Sequence, residues 1–207
     1  MSLSGSPGPA ARLLRGLATL RHYHEIAEVG EIARRYFPMN AFDGVLTALG
    51  IVTGAYFGGV TEPASLVVVI ASASLSLGVS GFYGSYLSEQ AERTRALREL
   101  EDTMLSRLDE TDVGSAARYA TLAIAAVAGF ASAIGGLIMC IPLALQSVLG
   151  TAASFYAAWG VAALELVLLG VFLGRVSRGR LVVSSVKLVL AGGVAFVLSL
   201  LLNVAGV

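Results

Sequence analysis

Two acids lie inside apolar runs of this chain, and their placement is where chemistry is to be sought. Asp43 stands near the start of the stretch from Met39 to Gly58, and Glu165 stands ten residues before Arg175 in another apolar run. A carboxylate inside hydrocarbon is costly, so it must be paired, protonated or facing water, and a functional role is the default expectation. At a helical rise of 1.5 Å per residue, Glu165 lies about 15 Å from Arg175, near the middle of a bilayer. Asp43 is followed at helical spacing by Thr47, Gly50 and Gly54, and Met39 one turn before it could add a soft ligand. Asp43 therefore reads either as part of an ion path or as an interfacial acid that offsets the positive end of a helix dipole, worth about 0.3–1 kcal/mol. Glu165 reads either as a proton or cation site or as a protonated group hydrogen-bonded to a neighbouring helix.

Other candidates are weaker. His22 with Glu25 and His24 with Glu28 share a helix face at a spacing compatible with a metal, although such surface pairs are more often solvated. The acidic stretch from Glu89 through Glu92 to Asp102 reads mainly as a solvated face. Met104 and Met139 suit packing, and Lys187 suits snorkelling to a membrane surface. There is no GxSxG, HExxH, P-loop or Rossmann fingerprint, and both histidines precede the first apolar run, so no enzyme is expected.

These residues need elements to position them, and composition says which. The 207 residues are 56% hydrophobic and 14% charged, with a mean hydropathy of +0.79. A soluble domain carries about 25% charged residues, so an all-α polytopic membrane protein is expected. The single Cys140 allows no disulfide framework within the chain. Residues 1–11 read as a disordered leader without a signal peptide, and 12–38 as a cytoplasmic interfacial amphipathic helix ended by Pro38. A five-helix transmembrane domain at 39–207 follows, with spans at about 39–60, 64–88, 116–141, 150–174 and 181–205, each near the length needed to cross about 30 Å. A separate cytoplasmic helix is expected at 89–113. Glycines at every fourth position from Gly50 to Gly58 predict close approach of another helix.

Charge placement supplies orientation. Of the 14 Lys and Arg, all but Lys187 fall in three clusters: before the first span, between or bordering the second and third, and between the fourth and fifth. The alternate loops near Glu62 and Gln146 hold no basic residue. The positive-inside rule gives a cytoplasmic N-terminus and a C-terminus on the opposite side. Clusters that border membrane spans imply no nucleic acid.

Four stretches carry a further likeness: Phe42 to Thr47; Gly84-Ser85-Tyr86-Leu87-Ser88 with Gln90 and Glu92; Gly135 to Pro142; and Gly170 through Arg178-Gly179 to Gly192-Gly193. The first is similar to a first-span Asp-Gly motif, the second to a Gly-Glu-Tyr-Val-Ser segment and the residues after it, and the third to a third-span Pro turn. In this order they resemble the vacuolar iron transporter family, as a short prokaryotic-type member lacking the large cytoplasmic metal-binding domain. The resemblance implies a homodimer that exports Fe(II) or Mn(II) from the cytoplasm in exchange for protons, with no permanently bound cofactor, in the plasma membrane if the source is prokaryotic. Of the family's path residues only Asp43 is retained. The Glu position is Ser85, the Met position is Gly81, and the first Pro of the third-span turn is Met139. A site of Asp43, Thr47, Ser85 and carbonyls is mostly oxygen and suits harder cations such as Mn(II), Mg(II) or Ca(II), unless Met39 or Met139 supplies sulfur. Glu165 then stands as a replacement acid, and Glu89 and Glu92 are counted with the candidate metal ligands. The alternative is a transport-inactive member that serves as a membrane scaffold or partner-binding subunit.

Overall fold

The computed structural model describes Thr19, residues 21–108 and residues 110–205. The expected leader at 1–11 and the start of the amphipathic segment lie outside the described residues. Among the described residues, 21–26 are helical and seven helices follow them: α1 (Val29–Phe57), α2 (Ser65–Met104), α3 (Asp112–Leu137), α4 (Cys140–Ala144), α5 (Gln146–Leu149), α6 (Thr151–Val176) and α7 (Leu181–Val204). No strand occurs among the described residues. Four helical stretches, α2, α3 continued through α4, α6 and α7, are long and apolar enough to cross a membrane, which marks an integral membrane protein. The first helix is not among the four; its 29 residues include Glu31, Arg34, Arg35 and Asp43.

The bundle is built around α1. Helices α2 and α3 form one antiparallel pair and α6 and α7 another, and α1 packs against members of both. Its Val45, Ala48, Leu49 and Val52 are buried with Ile70 of α2, Ala131 of α3 and Phe155, Ala158, Ala162 and Leu166 of α6. Small side chains let the backbones approach. A Cβ on Gly44 would overlap the Ser132 carbonyl oxygen and stand 2.9 Å from the Gly136 nitrogen, so α1 and α3 touch backbone to backbone there. Gly170 of α6 meets the Ser185 backbone of α7 in the same way.

The ends of the bundle are chemically distinct. At one end Arg93 reaches the Ala27 carbonyl (3.4 Å), and Phe37 meets Phe172 edge to face at 5.4 Å. The arginine-rich turn between α6 and α7 lies at this basic end. At the far end the Ala64 N–H donates to the Gln146 side chain (2.9 Å), and the hydroxyls of Tyr56 and Tyr156 are 3.3 Å apart. Tyr56, Phe57, Phe155, Tyr156, Trp159 and Phe196 cluster there, and Trp159 donates its indole N–H to the buried Thr53 hydroxyl (3.2 Å). Amphipathic aromatic rings favour a membrane–water boundary.

Several expected boundaries move. Pro38 does not end the first segment: α1 runs through it, and the break falls at Glu28, whose φ is 51°. The missing proline N–H deprives the Arg34 carbonyl of its helical donor, and burial of the ring against the bundle offsets that loss. The separate helix expected at 89–113 is instead the continuation of α2, because no Gly or Pro interrupts residues 88–104. That helix ends at Leu105 (φ 53°), where the Ser106 N–H donates to the Glu101 carbonyl and the Glu101 carboxylate accepts the Leu108 N–H (2.6 Å). The third apolar stretch begins at Asp112 and is interrupted at Ile138 and Met139; Pro142 offers no N–H to Ile138, whose carbonyl takes the Ile141 N–H instead (3.1 Å). Spans four and five match α6 and α7 to within two residues.

The glycine ladder is met by α7 at two of its three positions, at ordinary contact distance. A Cβ on Gly50 would lie 3.7 Å from the Ser199 hydroxyl and one on Gly58 3.7 Å from the Asn203 amide, while nothing lies within 4 Å at Gly54. The 2.8 Å neighbour at Gly58 is the Gly54 carbonyl of the same helix end. Within one chain the tight approach uses Gly44, on another face of α1.

Candidate functional site

Six of the seven residues singled out as metal candidates fall into three separate places, and Glu92 stands apart from them. The first is the outward face of α1. Asp43 is exposed, Met39 one turn earlier is 59% exposed, and Thr47 one turn later is half-buried. This spacing follows from the helix: residues four apart stack on one face, while Ala41 and Val45, two positions from Asp43, point into the bundle. The face offers one carboxylate, one hydroxyl and one thioether.

The second place is a polar seam where α1, α2 and α3 meet. Ser132 of α3 donates to the Asn40 side-chain oxygen (3.4 Å), and the Asn40 amide donates to the Tyr36 carbonyl (2.9 Å). A Cβ on Gly81 would lie 3.1 Å from both the Asn40 oxygen and the Ser132 hydroxyl, so only a small residue lets α2 close on this pair. One turn further along α2, Ser85 is buried, and beyond it Glu89 is 9% exposed and paired with Arg93 at 3.2 Å. Burial, followed by the hydrogen bond and charge of Glu89, raises the Tyr36 hydroxyl above its ordinary pKa. Glu89 thus has the Arg93 guanidinium and the Tyr36 phenol beside it. Glu92, one residue before Arg93, is exposed and stands apart from it.

The third place is a crevice of about 310 Å³ between α1, α3 and α6. Glu165 lies in its wall with Ala41 and Val45 of α1, Ile134 of α3, and Phe37 and Phe172 at the basic end. Glu165 is half-buried, and its Oε2 is sealed from solvent without a hydrogen-bond partner. Asp43 does not line this crevice. The two acids therefore face different surroundings within one chain, Glu165 in the crevice wall and Asp43 on the exposed face of α1. The cause is rotation: the α1 face that meets α6 carries Ala41 and Val45, leaving Asp43 turned outward.

No group of three or more His, Cys, Asp or Glu side chains that could hold a metal occurs among the described residues. In the N-terminal segment, Glu25 pairs with Arg21 (3.2 Å) and His22 lies 3.9 Å from Asp112, so the members of the first His–Glu pair have other partners. Met139 is fully buried in the core. The Asn40–Ser132–Gly81 contact went unremarked from sequence; an amide beside an apolar run, with small residues on later helices, was the available signal.

No protein-family model matches the chain, and no solved structure matches it. The chain is 27% identical over 169 residues to an uncharacterized protein of Methanocaldococcus jannaschii, an alignment that covers 80% of this chain and 85% of that protein. The chain is thus an all-helical integral membrane protein similar, over most of its length, to an uncharacterized archaeal protein.

Proposed function

We propose that this protein is a five-span transporter of divalent cations of the vacuolar iron transporter type, working as a homodimer with its basic end in the cytoplasm and its C-terminus on the opposite side. The observation that carries the reading is the position of Asp43: an exposed acid on the uncovered face of the central helix, flanked by Met39 and Thr47. One chain supplies too few ligands there for a divalent ion, which takes six or more oxygens when hard. A second copy of α1 facing the first would double the set to two carboxylates, two hydroxyls and two thioethers, and the open surface at Gly54 leaves room for such an approach. Support for five spans comes from α1 itself, which runs between the same two ends of the bundle as the four more apolar helices. Support for orientation comes from the described arginines of the three clusters, which lie toward one end of the bundle.

In this mechanism Asp43 takes the cation from the cytoplasmic side, Thr47 and carbonyls replace part of its water, and protons return as the carboxylates are vacated. Glu165 is not on the path, and Glu89 with Arg93 holds α2 rather than the ion. The mixed oxygen and thioether set suits Fe(II) or Mn(II). Proteoliposomes loaded with a metal-sensitive dye test the reading, comparing Fe(II), Mn(II) and Ca(II) with and without a proton gradient. Flux of Fe(II) or Mn(II) that responds to the gradient and is abolished by Asp43→Asn is the expected result. A second reading, a membrane scaffold without transport, is favoured by the separation of Asp43 from Glu165; absence of flux for all three ions would establish it over the first.

A further inference from the structure

The crevice that holds Glu165 has a composition unlike that of an inorganic ion site. Its walls are apolar except for one carboxyl group, and a lone carboxyl supplies at most two of the oxygens that a hard divalent ion requires. A pair of aromatic rings, Phe37 and Phe172, closes its basic end. Ile134 and Leu168 at its rim are more than half exposed on the outside of the bundle, so the crevice opens sideways, where a bilayer would lie. Glu165 reaches no hydrogen-bond donor through its buried oxygen. A group left unpaired in such surroundings is satisfied by a partner that brings its own positive charge or donor and its own apolar surface.

We infer that the crevice between α1, α3 and α6 is a binding site for a lipophilic organic cation, with the cationic head against Glu165 and the apolar body along Phe37, Ile134 and Phe172. The aromatic pair adds ring faces that attract a cationic centre. A volume of about 310 Å³ is at the small end of ligand pockets, which suits one compact amine or onium ion rather than a lipid with two acyl chains. Lateral entry matches a ligand that partitions into the bilayer before it binds. The site is separate from the Asp43 face, so the inference stands or falls independently of metal transport.

The test uses the full chain in nanodiscs of uncharged phosphatidylcholine, with radiolabelled benzyltrimethylammonium measured by equilibrium dialysis against empty nanodiscs. Saturable binding of one cation per chain is expected, weakened at least tenfold in Glu165→Gln and displaced by dodecyltrimethylammonium but not by dodecanol. Glu165→Asp, which keeps the charge on a shorter arm, should retain part of the affinity. Unchanged unfolding midpoints for both variants establish that each is folded. Equal binding by Glu165→Gln and the unaltered protein would overturn the inference, as would displacement by dodecanol as readily as by the ammonium, which would make the crevice an acyl-chain groove. Binding of Mn(II) lost on Glu165→Gln, without cation binding, would also overturn it.

Discussion

Replacing Gly44 and Gly54 separately by alanine tests how the central helix is packed. Both glycines lie inside α1, where alanine is the better helix former by about 1 kcal/mol. At Gly44 the new methyl would overlap the Ser132 carbonyl oxygen and crowd the Gly136 nitrogen. Both are backbone atoms of α3, so no side-chain rotation relieves the overlap and the two helices must part. Overpacking of this kind costs about 1–3 kcal/mol, and contact with two backbone atoms points to the upper end. Against the propensity gain, the net loss is about 2 kcal/mol. By the size scaling for chains of about 150–250 residues, this lowers the unfolding midpoint by roughly 4–8 °C. At Gly54 no atom lies within 4 Å of the added methyl, so only the propensity gain remains, and the midpoint should stay level or rise by roughly 2–4 °C. Thermal unfolding of the purified protein in a mild detergent, followed by the loss of monodisperse elution after heating, reads both. A Gly44→Ala protein as stable as the parent would refute the proposed backbone contact between α1 and α3. A Gly54→Ala protein destabilised as much as Gly44→Ala would show that this face is covered in the assembled protein.

Two further substitutions probe the polar contacts. Arg93→Ala leaves the Glu89 carboxylate buried without its guanidinium and should cost about 3 kcal/mol; adding Glu89→Gln should recover most of the loss, as measured by unfolding midpoints. Thr53→Val keeps the shape of a fully buried side chain but removes the acceptor of the Trp159 indole N–H, which should cost about 1 kcal/mol and shift the emission of this single tryptophan to shorter wavelength.

The sequence made the helices legible where hydropathy and breakers agree, as at α6 and α7, bounded by Gly150 and by the turn at Arg178-Gly179. It was less informative where a breaker is overruled. Pro38 is the strongest punctuation in the first segment, yet α1 passes through it, because packing of the proline ring outweighs one missing hydrogen bond. Conversely, Leu105 and Glu28 end helical runs with no special residue type, through backbone geometry that only the folded chain defines. The candidate site was legible as a set of unusual residues but not as an arrangement. Asp43 and Glu165 could each be placed by depth, since rise per residue is fixed. Which way each pointed depended on the rotation of two helices about their own axes, which is set by contacts such as Gly44 with Ser132. A ladder of small residues likewise says that a face is smooth, not which neighbour uses it.

The length of α2 has a mechanical consequence. At 40 residues it is a rod of about 60 Å, held to α3 at Ser74, Gly78 and Gly81, which face Gly136, Gly129 and Ser132. Those three levels lie in the half toward Ser65, so about 30 Å of the same unbroken helix runs on from Ser85 to Met104. With no Gly or Pro between residues 88 and 104, a displacement of the arginine-bearing end passes along the rod to the part packed on α3. The Arg93 contact with the Ala27 carbonyl ties that end to the segment before α1.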